Sequence, residues 1–213
     1  MIPDLVVFDC DGVLVDTEGP TSIIIANSFT KYGVPMTAHE VDILFVGGTM
    51  EGVEAEGRKR GAAFPVDWQD EIYSEFFARF DEGIDVFDGV FTLLDALDAR
   101  GIPHFIASNG PMKKMRSSLT PSGLWDRFGD RILSRENYAP KPDPAMIRHA
   151  IGRIGAAADK TFMIDDSVTG CRAGLNAGVH TIGFATEGQD AKLAEIGATV
   201  ANSMADVQRI ILD

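Results

Sequence analysis

Leu5-Val6-Val7-Phe8-Asp9-Cys10-Asp11-Gly12-Val13-Leu14-Val15-Asp16 sends four apolar residues straight into two acids and a glycine. A short continuous apolar run is the pattern of a strand buried on both faces, as in a parallel sheet covered by helices. Alternation carried past the run puts Asp9 and Asp11 on one face and Cys10 on the other. Cys10 therefore reads as a buried apolar filler and not as a nucleophile. Gly12 permits the sharp turn that a side chain would resist.

The same pattern returns further along the chain. His104-Phe105-Ile106-Ala107 ends at Ser108, and Thr161-Phe162-Met163-Ile164 ends at Asp165. Weaker runs lie at Arg131-Ile132-Leu133 and Val179-His180-Thr181-Ile182. Helical stripes separate them. Val90, Leu93, Leu94 and Leu97 form one, stopped by Gly101, and Ile147, Ala150, Ile151 and Ile154 form another, opened by Pro142 and Pro144. Val168, Cys171, Ala173 and Leu175 form a third, closed by Gly178. Strands alternating with helices predict an α/β fold, a doubly wound parallel sheet of the Rossmann-like kind.

Between Asp16 and about Asp85 the rhythm breaks and only helices are predicted. Ile25, Phe29 and Tyr32 make a stripe that Gly33 ends. Thr37-Ala38-His39-Glu40 is a capping box, with Val41 placed to pack back on Met36. Asp67 opens a helix whose Trp68, Ile72, Phe76 and Phe80 share one face, a bundle core in the making. The expected organisation is a catalytic core of residues 1–16 and 86–213, with a helical domain, 17–85, inserted after the first strand.

Bulk properties narrow the function. The formal charge of −13 disfavours nucleic acid and anionic lipid, which are bound through clustered Lys and Arg. No apolar run approaches the roughly eighteen residues that span a bilayer. The first residues lack the basic start and long apolar stretch of a secretory signal, so a cytoplasmic location is expected. Cys10 and Cys171 provide neither metal-type spacing nor a disulfide framework. Arg58-Lys59-Arg60 reads as a solvated helix face, with contact to a substrate carboxylate as the alternative. His39, His104, His149 and His180 are scattered and take no role.

Ligands of an open parallel sheet bind beyond the carboxyl ends of its strands. Here those ends deliver Asp9 and Asp11, then Ser108 and Asn109, then Asp165 and Asp166, with Lys141 just before the proline-opened helix. Convergent carboxylates repel one another in a partly dry cleft, and a hard divalent cation with oxygen ligands, Mg²⁺, resolves the conflict. With Mg²⁺ and Lys141 the rim suits a phosphoryl group, to which Ser108 and Asn109 can donate. Asp9 is then placed to attack phosphorus. Asp11 is placed to protonate the leaving oxygen and later to take a proton from water. Asp165-Asp166 would elsewhere read as a plain helix-start pair, and Ser108 as a plain cap, but the full set outweighs those readings. An EF-hand loop is excluded because Val13-Leu14-Val15 supplies no ligand.

Four segments together resemble the haloacid dehalogenase-like superfamily in its phosphatase and phosphomutase form. Phe8-Asp9-Cys10-Asp11-Gly12-Val13-Leu14-Val15-Asp16 is similar to motif I, Ser108-Asn109-Gly110 to motif II, Lys141-Pro142-Asp143-Pro144 to motif III, and Asp165-Asp166-Ser167 to motif IV. The resemblance implies that Asp9, the main-chain carbonyl of Asp11 and one or both of Asp165 and Asp166 hold Mg²⁺. It implies that Ser108 and Lys141 bind the transferring phosphoryl group, and that the helical insertion is a cap that selects the leaving group. Glu18 follows motif I at the cap hinge and reads as a solvated hinge residue.

The nearest group resembles the β-phosphoglucomutase-like enzymes. Thr21 and Met50 stand about where its mutases carry a cap histidine and a cap arginine, which argues for hydrolysis over isomerisation. Ser108-Asn109-Gly110-Pro111 with Lys114-Met115, and Ile164 to Val168, are similar to sugar-acid phosphatases such as 6-phosphogluconate phosphatase. In the cap, Val46 of Leu44-Phe45-Val46-Gly47-Gly48-Thr49 stands where such relatives often place a lysine. The expectation is a Mg²⁺-dependent phosphatase of a small phosphorylated metabolite, a monomer or weak homodimer. A phosphomutase, or a non-catalytic phosphometabolite-binding protein, is the alternative.

Overall fold

Parallel pairing throughout joins β1 (Leu5–Phe8), β2 (His104–Ser108), β3 (Ile132–Ser134), β4 (Thr161–Asp165), β5 (His180–Phe184) and β6 (Thr199–Ala201) into one sheet of order β3-β2-β1-β4-β5-β6. The computed structural model describes residues 2–45, 49–185 and 190–213. The chain forms two compact units, Met1–Asp16 with Asp85–Asp213, and Thr17–Ile84. The first holds the sheet and is the doubly wound α/β fold. Strand order reverses between β1 and β4, whose register pairs Phe8 with Ile164. That reversal opens a crevice beyond the strands' carboxyl ends.

The central strands β1, β2 and β4 are buried along their whole length, as continuous apolar runs require of a sheet covered on both faces. Around the sheet run α5 (Val90–Ala99), α6 (Met112–Leu119), α7 (Leu124–Phe128), α8 (Ala145–Ile154), α9 (Val168–Ala177), α10 (Asp190–Glu195) and α11 (Met204–Leu212). Leu5, Val7, Phe105, Ala107, Met146, Ile147, Ala150 and Met163 share one core cluster, which docks α8 on the sheet. Two expected stripe positions fall outside the core: Ile154 is 40% exposed and Leu175 36%. Both lie near a helix end, where the chain has begun to leave the sheet. In α9 the buried positions are Gly170, Cys171, Ala173 and Gly174, so small residues carry the packing there. Strand β6 was not expected, since Thr199-Val200-Ala201 is too short to show a pattern.

The second unit, taken by itself, is helical: α1 (Glu18–Lys31), α2 (Ala38–Phe45), α3 (Met50–Lys59) and α4 (Trp68–Asp81). The capping box forms: Thr37 N–H donates to Glu40 at 2.7 Å, and Glu40 N–H donates to Thr37 Oγ1 at 3.2 Å. Trp68, Ile72, Phe76 and Phe80 are all buried, and Trp68 stacks on Phe64 with ring centroids 4.2 Å apart. Asp67 precedes α4 but its side chain caps nothing there. Arg58, Lys59 and Arg60, at the end of α3, pair with Glu54 and Glu56 of that helix, and Arg58 also donates to the carbonyls of Phe64 and Pro65. That is the solvated-face arrangement. The Val46 position lies outside the described residues. No helix among the described residues is long and apolar enough to cross a membrane.

Candidate active site

Strand β1 ends at Phe8, so the alternation expected to align Asp9 with Asp11 does not reach Asp11. A turn takes over. Leu14 and Val15 N–H groups both donate to Cys10 O, Gly12 N–H donates to Val15 O, and Gly12 sits at φ +76°. Any Cβ on Gly12 would lie 2.3 Å from Asp166 Oδ2, so its bareness makes room for that carboxylate as well as for the turn. Asp9 is tied to the sheet by its N–H, which donates to Ile164 O at 2.8 Å. Cys10 is fully buried, and burial, with the Asp11 and Asp9 charges, pushes its thiol well above the ordinary value. It is the inert filler that the sequence predicts.

Lys141 closes the site from a loop between β3 and α8. Its Nζ donates to Asp9 Oδ1 and to Asp165 Oδ2, each at 2.6 Å, and the residue is only 6% exposed. Asp165 is fully buried at the end of β4. Its other oxygen, Oδ1, accepts from Ser167 N–H at 3.0 Å and from Ser167 Oγ at 2.7 Å. Gly170, in the first turn of α9, would place a Cβ 1.8 Å from Asp165 Oδ2. The absent side chain is what lets that carboxylate lie against the helix start, where partial positive charge favours it.

Carboxylate oxygens of Asp9, Asp165 and Asp166 lie within 4.8 Å of one another. Burial pushes the Asp9 carboxyl up to about 7, with Asp165 and Asp11 adding to the rise and Lys141 opposing it. Burial also pulls the Lys141 ammonium down, but Asp165 and Asp9 outweigh that and leave it above its ordinary value. One lysine against three crowded acids leaves a deficit of positive charge. An all-oxygen donor set with that deficit fits a hard divalent cation such as Mg²⁺. Asp11 stands apart from this trio. Its Oδ2 accepts from Lys114 Nζ at 2.9 Å.

Lys114 is the residue that sequence reasoning missed as part of the site. It sits in the run Met112-Lys113-Lys114-Met115-Arg116, which looks like an ordinary solvated helix face. The available signal was positional: α6 starts at the same strand-end rim, so its first turn can return to the site. One alternative reading falls away and one expectation changes. Ser108 does not cap α6. Its Oγ accepts from Gly110 N–H at 2.9 Å, and the helix start is met by Glu136, which accepts from Met112 N–H. That leaves the Ser108 O–H to donate. Asn109 was expected to donate to a phosphoryl group, but its amide binds the main chain of Lys141.

A doubly wound sheet that gathers acids and a buried lysine at its switch point is an α/β fold with an acidic strand-end site. The chain belongs to the haloacid dehalogenase-like hydrolase family, whose model matches residues 6–184. Among its relatives is the 6-phosphogluconate phosphatase of Escherichia coli (strain K12), 30% identical over 187 residues, 86% of this chain and 83% of that protein. A conserved haloacid dehalogenase-like protein of unknown function from Agrobacterium tumefaciens superposes with a TM-score of 0.84 at 29% identity, covering 98% of this chain and 97% of the other. A family hydrolase from Deinococcus radiodurans, crystallised with bound phosphate and sodium, gives 0.82 at 29% identity over 96% and 93%. The chain is an enzyme of the phosphatase kind within that family.

Proposed function

We propose that the enzyme is a Mg²⁺-dependent phosphatase that hydrolyses a small phosphorylated metabolite, a sugar or sugar-acid phosphate, through an aspartyl-phosphate on Asp9. The observation that carries the reading is the Lys141 ammonium, buried and 2.6 Å from both Asp9 and Asp165 at the switch point of the sheet. Similarity to a sugar-acid phosphatase at 30% identity supports the substrate class. The net charge of −13 argues against nucleic acid and membrane as partners. Action in the cytoplasm as a monomer or weak homodimer belongs to the same proposal.

The residues divide the work as follows. Lys141 and the Ser108 hydroxyl hold phosphoryl oxygens and orient phosphorus toward Asp9. An Asp9 carboxylate oxygen forms the bond to phosphorus while the ester P–O bond breaks. Asp11 delivers a proton to the departing oxygen. Asp11, now ionised, then takes a proton from water as that water attacks phosphorus, and the Asp9–phosphorus bond breaks to release phosphate. Asp9, the Asp11 carbonyl, Asp165 and Asp166 would hold the cation, which would supply charge neutralisation for the phosphoryl oxygens.

The test is phosphate release from a panel of sugar, sugar-acid, phosphoglycolate and pyrophosphate substrates, with Asp9→Asn as the control. The parent should release phosphate from at least one sugar or sugar-acid ester, and Asp9→Asn should be inactive with an unchanged circular dichroism spectrum. Turnover by Asp9→Asn would exclude Asp9 as nucleophile. Isomerised phosphosugar in place of free phosphate would turn the reading into a mutase. Asp11→Asn should slow an alkyl phosphate by about 100-fold or more, and p-nitrophenyl phosphate far less, because its leaving group needs no proton. Equal losses on both would remove the acid role.

A further inference from the structure

Lys141 reaches the acids from a loop that no strand or helix supports: β3 stops at Ser134 and α8 starts at Ala145. Its neighbour Pro142 has no N–H to anchor that loop. The ammonium ends a flexible four-carbon stem, so its position depends on where the backbone of residue 141 is held. Asn109, directly after β2, does the holding. Its Oδ1 accepts from Lys141 N–H at 2.8 Å, and its Nδ2 donates to Lys141 O at 3.0 Å. A side-chain amide offers a donor and an acceptor side by side, so it satisfies both main-chain groups of a single residue. On the outer side of the same loop, the exposed Asn176 donates to Pro142 O at 3.0 Å.

We propose that Asn109 is a positioning residue that acts through the Lys141 main chain and not as a donor to the phosphoryl group. The proposal rests on the phosphatase reading for its consequence and on geometry alone for its mechanism. Ser108 is tied to the sheet, and Asn109 follows it, so the clamp transmits the rigidity of β2 to a residue that the β3–α8 loop would otherwise leave loose. An ammonium shared between Asp9 and Asp165 tolerates little drift, since catalytic groups need placement to within about 0.5 Å.

The experiment is a double-mutant cycle on magnesium-loaded protein, read by kcat and by the affinity for inorganic phosphate in calorimetry. Asn109→Ala should lower kcat and phosphate affinity, kcat by about 10–100-fold as for other supporting residues. In a Lys141→Met background, Asn109→Ala should cost nothing further in phosphate affinity. If the two losses multiply instead, Asn109 touches the anion directly and the proposal is overturned. An Asn109→Ala enzyme with the parent's kcat overturns it too. Asn109→Asp keeps the size and the acceptor half of the clamp, so it should fall between the parent and Asn109→Ala, and it serves if the alanine variant does not fold. Asn176→Ala should keep activity near the parent's. A parent that hydrolyses no ester sinks the phosphatase reading, while the phosphate-affinity cycle still judges the clamp.

Discussion

In the helical unit Thr17–Ile84 the ion pairs lie on the outside and the core is aromatic. In the sheet unit the decisive ion pairs lie at the strand ends and are buried. Lys31–Glu71, Arg58–Glu54 and Arg60–Glu56 link exposed or half-exposed side chains, while Phe29, Phe64, Trp68, Phe76 and Phe80 pack beneath them. Lys141, by contrast, is buried with Asp9 and Asp165. Exposed pairs are screened and add little, whereas buried charges lose hydration that their partners only partly restore. The first arrangement is what stability alone selects. The second costs stability, and the proposed chemistry is its reason, since that needs acids and an ammonium in one dry place.

Breaking the buried pair should have the largest effect. Lys141→Met should cut phosphate release by on the order of 1,000-fold, the scale for losing a preorganised cation at a transferring phosphoryl group. Steady-state kinetics would check this, and a variant retaining activity within about tenfold of the parent would deny the lysine its role. Next comes the core of the other unit. Trp68 is fully buried, and its Nε1–H donates to Ser28 Oγ at 2.8 Å. Trp68→Ala should therefore cost about 3–5 kcal/mol in a urea melt. An unchanged midpoint would mean that the aromatic cluster does not hold the helices together.

A pH series sharpens the contrast further. Burial raises the Asp9 carboxyl from 3.8 to about 7 in the folded protein. The folded state thus keeps a proton that the unfolded chain sheds. The resulting stabilisation is full below pH 3.8 and is lost as pH rises through about 7. Melting temperature in chelator should fall over that window, and Asp9→Asn should flatten the fall. An identical pH slope in the variant would assign the effect to another group. The smallest change is expected on the surface of the helical unit. Glu56→Gln removes the partner of Lys59 and Arg60, and differential scanning calorimetry should register no shift in melting temperature.

Legibility in the sequence followed burial and length. Strands β1, β2 and β4 stood out because a two-sided burial leaves few polar positions in the run, and each run ends at a residue of the site. Strand β6, with three residues, offers no period to detect, and α7 and α10, at five and six residues, scarcely more. The capping box was readable since both partners lie within one turn. Lys114 was not, because its partner Asp11 is 103 residues away and a lysine in a basic helix run looks solvated.

By itself the sequence determined which side chains the strands deliver to one rim, for strand ends and helix starts are set by local pattern. Only the tertiary structure decided how those side chains pair. Lys141 meets Asp9 across 132 residues and Asp165 across 24, and the Asn109 amide meets the Lys141 backbone across 32. Such partnerships depend on which groups lose water together, and burial of that kind exists only once the chain has closed on itself.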